Sequence, residues 1–358
     1  MPKTFKQLYP RICDFDNLYG AHRKARRGGK RKHPAVAEFE IGLGSNLLEL
    51  RDELLSEDYV PGAYRTFIVR ERKERTISAA PYRDRVVHHA LINIIQPIFE
   101  ARFIHDSYAC RKDKGTHRAI HRAQAFARRY PYVLQADIRE FFPSIDHAIL
   151  KGQIERHVAC LATLRLVDKV LVSGAGILAR RYTPMLFPGD DLLALARPRG
   201  LPIGNLTSQH WANVYLHDLD MFVKHTLKCE AYVRYSDDFV LFSDSRSALH
   251  EWHHAITDHL VTLRLTLHGP RTQVYPVKSG IGFLGWRIFP HHLRLRRDNL
   301  RHALRRLRRQ QEALASGALQ SSDLTRSVQA WIAHAQHGQT YRLRRRVMRQ
   351  FVFSSRAP

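Results

Sequence analysis

Two adjacent aspartates, Asp237 and Asp238, lie between apolar runs rich in β-branched and aromatic residues, at 231–235 and 239–242. The pattern predicts a β-hairpin whose tight turn carries Ser236 and Asp237. Adjacent carboxylates repel each other, and a bound divalent cation would neutralise that repulsion. Asp also favours turns for backbone reasons alone, so an ordinary turn is the competing interpretation of the pair.

A third aspartate, Asp137, ends the apolar run 132–136, which predicts a buried strand followed by a turn into a helix at Pro143 and Ser144. The strand that ends at Asp137 and the hairpin that carries Asp237 and Asp238 would then each present carboxylates at an exposed strand end. Mg²⁺ binds a few carboxylates together with substrate phosphates in octahedral geometry. Two such ions can bind the attacking and leaving oxygens of an in-line phosphoryl displacement. These residues therefore predict nucleotidyl transfer.

Four segments resemble the palm motifs of reverse transcriptases, in that family's order and spacing. Tyr235-Ser236-Asp237-Asp238 resembles the family's Tyr-x-Asp-Asp box, and Asp137 with Phe141-Phe142 resembles its first aspartate motif. Residues 200–209 stand in place of its usual Gln-Gly-x-x-x-Ser-Pro segment, and residues 282–286 resemble its primer-grip hairpin.

The resemblance covers about residues 60–290 and implies an α+β fold, a right-hand polymerase with fingers, palm and thumb. It implies RNA-directed DNA synthesis, in which Asp137, Asp237 and Asp238 bind two Mg²⁺ ions, or Mn²⁺ in their place. The carbonyl of Ile138 would contribute a further ligand. The implied partners are a template RNA, the RNA/cDNA duplex and dNTPs.

The same resemblance assigns roles to further residues. Arg70 and Arg75 stand where the family places cations on the incoming triphosphate, although ordinary charged hairpin residues would look the same. Phe142 stands at the family's aromatic gate against ribose 2′-hydroxyls. Arg271 stands where relatives often carry a Lys near the leaving pyrophosphate; it keeps the positive charge but is a poorer proton donor than Lys. The remaining substrate-binding and primer-grip residues are Ile203, Gly204, Gln209 and Tyr235, and Phe283, Leu284, Gly285 and Trp286.

Two departures indicate the subfamily. Ile203 and Gln209 replace the family's usual Gln and Pro, a pattern similar to the reverse transcriptases of diversity-generating retroelements. The segment 103–117 also resembles that group and its group II intron relatives. Ile203 cannot make the hydrogen bonds that a Gln side chain offers, and in the resembled group this change accompanies error-prone copying at template adenines. Alternatively, Ile203 only packs under the nucleotide and fidelity is set elsewhere.

The retroelement resemblance implies a dedicated template RNA and a small basic accessory protein as partners. Within the same chemistry, a phage-defence or stand-alone group II-like reverse transcriptase is the alternative. An alternative of another class is a non-catalytic RNA-binding scaffold with a vestigial palm. Its sign would be a lost metal carboxylate, whereas Asp137, Asp237 and Asp238 are all present.

The charge balance predicts a polyanionic partner. The 358 residues include 58 Lys and Arg against 33 acidic residues, a net charge of +25, with a pI near 10.4. From Pro290 to Pro358 there are fifteen Arg, no Lys and three acidic residues, a net charge of +12. A membrane surface would also attract a basic amphipathic helix, but the palm motifs favour nucleic acid.

The C-terminal segment predicts an amphipathic helix capped by Asp298, with Leu300, Leu304, Leu307 and Leu314 along one stripe. Four arginines on the other faces form a predicted nucleic-acid track for the template–primer duplex. They are Arg301, Arg305, Arg308 and Arg309. The competing interpretation is a solvated helix face.

Targeting signals are not apparent in the sequence. No apolar run approaches the length of a membrane span, and the N-terminal residues lack the apolar core of a signal peptide. The four cysteines show no Cys-x-x-Cys spacing, which fits reduced thiols. We therefore expect a cytoplasmic protein without membrane association, and the family resemblance implies that it is bacterial or phage-encoded.

Four regions are expected along the chain: a basic helical N-terminal extension at 1–60, fingers at 61–131, palm at 132–289 and a basic helical thumb at 290–358. A fingers segment at about 151–199 would be inserted in the palm, and its loop 181–199 has no predicted role. Residues 64–80 predict a hairpin, 81–99 a helix, and 209–223 a helix with Trp211, Val214, Tyr215 and Leu219 in the core. The basic run 26–32 could contact RNA or be a solvated loop.

Overall fold

The computed structural model describes residues 4–29, 33–70 and 74–351, without the side chain of Arg70. Within these ranges the chain forms fifteen α-helices and three antiparallel sheets, so the predicted mixture of helices and sheets is confirmed. In the described ranges the helices are all too short or too polar to span a bilayer. All four cysteines are free thiols.

The N-terminal part consists of helices packed around one long helix. Four short helices come first: α1 (Tyr9–Cys13), α2 (Phe15–Ala25), α3 (Pro34–Ile41) and α4 (Leu43–Leu55). The Asp14 carboxylate caps α2 by accepting backbone N–H bonds, as Asp commonly does at a helix N-terminus. Helix α5 (Tyr82–Glu100) packs against α2, and its start after Pro81 confirms the predicted helix. Residues 30–32 of the basic run lie outside the described residues.

A two-stranded hairpin precedes α5, as predicted. Strand β1 (Arg65–Arg70) pairs with β2 (Glu74–Ala79) in antiparallel register, with Thr66 opposite Ser78. Helix α6 (Thr116–Ala127) then leads to the central sheet.

The central sheet has four antiparallel strands in the order β4-β5-β3-β6. They are β3 (Tyr132–Asp137), β4 (Tyr232–Tyr235), β5 (Asp238–Ser243) and β6 (Gln273–Pro276). Apolar side chains alternate between two cores, so that Phe239 and Leu241 lie on one face of β5, and Val240 and Phe242 on the other. Because both faces are covered, only the strand ends can present polar groups to a substrate.

Different elements cover the two faces of the central sheet. Helix α12 (Arg246–Thr262) packs on the face of Phe239 and Leu241. Helix α6 and a second sheet cover the face of Val240. That second sheet contains β7 (Ile281–Phe283), β8 (Trp286–Ile288) and β9 (Leu293–Leu295).

Between β3 and β4 the chain is mostly helical. The helices are α7 (Phe141–Ser144), α8 (His147–Glu155), α9 (Leu161–Ser173), α10 (Leu206–Tyr215) and α11 (His217–Met221), followed by a π-helical turn at Phe222–Thr226. The four predicted core residues from Trp211 to Leu219 are buried. The prediction of one helix over 209–223 was wrong, since the helix breaks at Leu216. The sequence does not reveal this break, because Leu216 at the break and Leu219 after it are both fully buried and continue the apolar periodicity of a single helix.

The C-terminal part has three helices and its own small core. They are α13 (Arg297–Ala315), α14 (Ser321–Ala335) and α15 (Tyr341–Met348), which meet around Leu307 and Trp331. The prediction that Asp298 caps α13 was wrong, because Arg296 occupies the N-cap. Asp298 lies in the first turn, with its carboxylate 3.6 Å from Arg296, where a negative charge favours the helix dipole.

Candidate active site

The β4–β5 hairpin carries the turn that the sequence predicts. Tyr235 pairs with Asp238, so Ser236 and Asp237 alone form the turn. Ser236 has φ +58°, a left-handed conformation that is costly for a residue other than glycine and persists only where its surroundings hold it. The turn thereby projects Asp237 beyond the paired strand ends.

The sheet register brings all three aspartates together. Asp137, the last residue of β3, is the direct antiparallel partner of Asp238, the first residue of β5. Directly opposed residues place their side chains on one face of a sheet, where two like charges are unfavourable. The backbone N–H of Ile138 donates to the carbonyl of Asp237 at 3.3 Å, which holds the end of β3 against the turn.

The carboxylates of Asp137 and Asp237 interact electrostatically. Burial raises the pKa of Asp237, and the nearby Asp137 carboxylate raises it further, whereas Ser236 and Arg75 act in the opposite direction. Asp137 itself is nearly buried, and its Oδ2 accepts a hydrogen bond from Nη1 of Arg271. Two carboxylates in a poorly solvated position thus share one edge with two guanidinium groups.

The donor set at this edge has the chemistry that Mg²⁺ or Mn²⁺ requires. Carboxylate oxygens of Asp137, Asp237 and Asp238 and the carbonyl of Ile138 are all hard oxygen ligands. The repulsion between Asp137 and Asp237 is what a bound cation would relieve. Among the described residues, however, no three His, Cys, Asp or Glu side chains are already arranged as a metal cluster. One carboxylate oxygen of Asp137 instead accepts a hydrogen bond from Arg271.

The β1–β2 hairpin contributes one cation to the site. Arg75 is exposed near the start of β2, and its charge acts on Asp237. Arg70 ends β1 opposite Glu74, and its side chain lies outside the described residues. The structure therefore places Arg75 where its charge lowers the pKa of Asp237.

The segment 203–205 is attached to the same hairpin. The N–H of Ser78 on β2 donates to the carbonyl of Ile203 at 2.9 Å, and Nδ2 of Asn205 donates to the carbonyl of Ser78 at 3.4 Å. Gly204 has φ +119°, and a Cβ there would lie 2.9 Å from Cγ2 of Ile77, so both backbone and space require glycine. The Ile203 side chain is half-buried.

The other predicted substrate-binding residues occupy different surroundings. Phe142, half-buried in α7, packs edge-on against Phe141 with ring centroids 5.5 Å apart. The Tyr235 hydroxyl accepts a hydrogen bond from Oγ1 of Thr116 at 3.2 Å. Gln209 is exposed on α10.

The β7–β8 hairpin is confirmed, with Leu284 and Gly285 in its turn at φ +47° and +85°. Phe283 and Trp286 are buried beneath that turn, so they support it rather than offer a contact surface. Sequence reasoning missed Gln135, whose Nε2 donates to the carbonyl of Gly282 at 2.7 Å and ties this hairpin to β3.

The predicted arginine track lies on α13, in the C-terminal helices. Its four members, Arg301, Arg305, Arg308 and Arg309, are all exposed.

Sequence reasoning also missed Arg234, which is fully buried beside the Ser236 turn. An arginine inside the otherwise apolar run 231–235 was the available signal, because a buried charge requires a partner.

Residues 69–288 match the family described as reverse transcriptase (RNA-dependent DNA polymerase), more than half of the chain. The chain belongs to this family, which confirms the general resemblance, and is an RNA-directed DNA polymerase.

Three curated relatives illustrate the range of the family. Protein YkfC of Escherichia coli strain K12 is 26% identical over 293 residues, 70% of this chain and 73% of YkfC. The group II intron-encoded protein LtrA of Lactococcus lactis is 26% identical over 226 residues, 62% of this chain and 36% of LtrA. The mitochondrial nuclear intron maturase 1 of Arabidopsis thaliana is 28% identical over 90 residues, 25% of this chain and 13% of the maturase. The match thus spans most of YkfC but only about a third of LtrA.

Proposed function

We propose that this protein copies a template RNA into DNA by two-metal nucleotidyl transfer, as the reverse transcriptase of a diversity-generating retroelement. The observation that carries the chemistry is the register pair of Asp137 and Asp238, with Asp237 in the adjoining turn. These carboxylates and the Ile138 carbonyl would hold two Mg²⁺ ions, or Mn²⁺. Bound there, the cations would activate the primer 3′-hydroxyl and stabilise charge on the transferred phosphate.

The chain's own residues bind and orient the substrates. The primer 3′-oxygen attacks the α-phosphorus of the dNTP, the bond from that phosphorus to the bridging oxygen breaks, and pyrophosphate leaves. Arg75 would bind the triphosphate, and its exposed position on β2, from which its charge acts on Asp237, supports this role. Arg271 neutralises Asp137 before the substrate arrives and then faces the departing pyrophosphate. Phe142 fills the space that a ribose 2′-hydroxyl needs.

The proposed architecture follows the family's right hand. Residues 61–131 would be the fingers, 132–289 the palm with the inserted segment 151–199, and 290–358 the thumb, after the basic extension 1–60. The thumb would hold the RNA/cDNA duplex, because its exposed arginines outnumber the acids that could neutralise them. Phe283 and Trp286 would support the primer-grip turn, with Gly285 and Leu284 at its tip.

The retroelement role rests on Ile203 and Gln209. An apolar side chain at 203 packs a nascent base pair but cannot make a directed hydrogen bond to it. Copying would then be error-prone, most of all at template adenines. The partners would be a dedicated template RNA and a small basic accessory protein, in the bacterial cytoplasm.

Primer extension on an RNA template tests the chemistry. The full chain, a DNA primer annealed to RNA, dNTPs and MgCl₂ should give full-length cDNA, and EDTA should abolish it. Tight RNA binding without any synthesis in Mg²⁺ or Mn²⁺ would favour a non-catalytic scaffold instead. Synthesis that is accurate at template adenines would favour a defence or stand-alone group II-like role.

A further inference from the structure

A fully buried ion pair lies directly behind the turn that carries Asp237. Arg234 on β4 and Asp220 at α11 both have 0% exposed side chains. Nε and Nη2 of Arg234 donate to the two carboxylate oxygens of Asp220 at 2.7 and 2.6 Å. The Tyr232 hydroxyl donates to the same carboxylate at 2.9 Å. The two charges are therefore well compensated and their geometry is fixed.

The remaining nitrogen of this guanidinium reaches the turn. Nη1 of Arg234 donates to the carbonyl of Ser236 at 3.2 Å and lies 3.3 Å from Oδ1 of Asn213. The Ser236 carbonyl belongs to the peptide that joins Ser236 to Asp237. This hydrogen bond consequently orients the peptide plane immediately before the Asp237 side chain.

The backbone of Arg234 is fixed as well. Its N–H donates to the carbonyl of Asp106 and its carbonyl accepts from the N–H of Tyr108, both at 2.9 Å. These bonds hold the outer edge of β4, so the side chain has a stationary base. The guanidinium therefore connects a strand with a fixed backbone to Ser236, the turn residue of this hairpin that has a left-handed conformation.

Stability alone is a weak explanation for this arrangement. Removing two charges from water is costly, and apolar replacements of buried ion pairs are often equally stable or more so. A planar guanidinium can, by contrast, bind a carboxylate with two nitrogens and still direct a third at a carbonyl, which neither an ammonium nor an apolar group can do.

We propose that Arg234 is a positioning residue, which holds the Ser236–Asp237 peptide so that the Asp237 carboxylate faces the metal-binding edge. Asp220 in turn fixes the guanidinium. The inference rests on the proposed metal-dependent function, because it is through cation binding that the orientation of Asp237 acts.

The first test compares Arg234→Lys with wild type by titration with Mn²⁺ alone, followed by calorimetry or by the EPR signal of free Mn²⁺. Lysine keeps the buried charge but cannot contact Asp220 with two nitrogens and Ser236 with a third. We expect Mn²⁺ affinity to fall about tenfold or more, as is typical when an outer partner of a metal ligand is removed. The Mg²⁺ concentration that half-saturates primer extension should rise in parallel.

Arg197→Lys is the matched control. Arg197 is likewise ion-paired in a largely buried position, with Nη2 against the carboxylate of Asp190 and Nη1 3.7 Å from that of Asp146. These partners do not include the hairpin turn or the segment 106–108 that holds the backbone of Arg234. Arg197→Lys should leave Mn²⁺ affinity unchanged within about twofold at a similar loss of thermal stability.

A double variant, Arg234→Met with Asp220→Leu, covers the case in which Arg234→Lys does not fold. It leaves neither charge buried alone, so the fold should be retained. Weakened Mn²⁺ binding by this folded protein would support the proposal. Mn²⁺ affinity equal to that of the wild type in either folded variant would overturn the proposal about Arg234. Failure of primer extension by the wild type would instead refute the proposed function, and the Mn²⁺ titration would still test Arg234.

Discussion

The guanidinium of Arg271 binds the carboxylate of Asp137, the residue that ends β3. Arg271 is the last residue of a short 3₁₀ turn (Gly269–Arg271) just before β6, the strand that pairs with β3 on the side away from β5. The nearly buried Asp137 carboxylate therefore has a cationic partner before any metal is present. In our account, a cation at the aspartate edge competes with Arg271 for Asp137.

Replacing Arg271 should increase the rise in Tm that Mg²⁺ produces. Arg271→Gln leaves Asp137 without its charged partner, so Tm in EDTA should fall by a few degrees. Because a ligand stabilises the folded state according to its affinity, saturating MgCl₂ should raise Tm more in this variant than in wild type. Scanning calorimetry measures both shifts. Arg271→Lys, which keeps the charge, is the control, and an equal Mg²⁺-induced shift in Arg271→Gln and wild type would contradict the competition.

The ring of Phe142 should determine sugar selectivity. Phe142→Ala opens space beside Phe141, so the ratio of rNTP to dNTP incorporation should rise by roughly tenfold or more. Single-nucleotide extension with each substrate measures the ratio. Phe142→Tyr keeps the ring and should behave like wild type. If the ratio does not change in Phe142→Ala, the steric gate lies at another residue.

The exposed arginines of α13 should make duplex binding salt-dependent. Changing Arg301, Arg305 and Arg308 to Gln should weaken template–primer binding and reduce the slope of log K against log salt by about 0.9 for each phosphate that the protein no longer neutralises. Fluorescence anisotropy over a salt series measures the slope. A control with the same change in charge replaces three exposed cations outside the C-terminal helices, namely Arg11, Lys228 and Arg246. Equal slopes in the two triple variants would mean that this face of α13 is only solvated.

The side chain at 203 should determine fidelity. The backbone of Ile203 is fixed by Ser78, so Ile203→Gln should change the side chain without moving the segment. A new directed hydrogen bond should lower misincorporation several-fold, most of all opposite template adenine, since 1.4 kcal/mol of discrimination corresponds to about a factor of ten. Sequencing cDNA from one RNA template measures the errors, with Ile203→Leu as the apolar control. Matching error spectra, or a wild type accurate at adenines, would argue against both this mechanism and the retroelement role.

Local patterns predicted the local parts of the site. The Ser236–Asp237 turn and the Leu284–Gly285 turn follow from alternating strands around short polar or small segments, which need no tertiary information. The break at Leu216 could not be predicted, because core residues on both of its sides preserve the apolar period. The start of α13 was also missed by two residues: the sequence placed the N-cap at Asp298, whereas the N-cap is Arg296 and Asp298 lies in the first turn.

Contacts between distant segments were not available from the sequence. Arg271 lies 134 residues from Asp137, and the two meet only because β6 pairs with β3. Gln135 likewise reaches Gly282 across the face of the sheet. The family motifs predicted which aspartates would gather and that Arg75 and Arg271 would lie near the substrate, but not that Arg271 binds Asp137 or that Gln135 ties the β7–β8 hairpin to β3.

Primer extension by Asp237→Asn tests the central claim most directly. The change keeps the size of the side chain and removes one charge from the proposed metal ligands, so RNA-templated synthesis should fall by about three orders of magnitude or more. Tm and template–primer affinity should remain near wild type. Asp244→Asn makes the same chemical change at an exposed residue after β5 and should extend primers normally. Substantial extension by a folded, RNA-binding Asp237→Asn protein would contradict the assignment of Asp237 to the metal site.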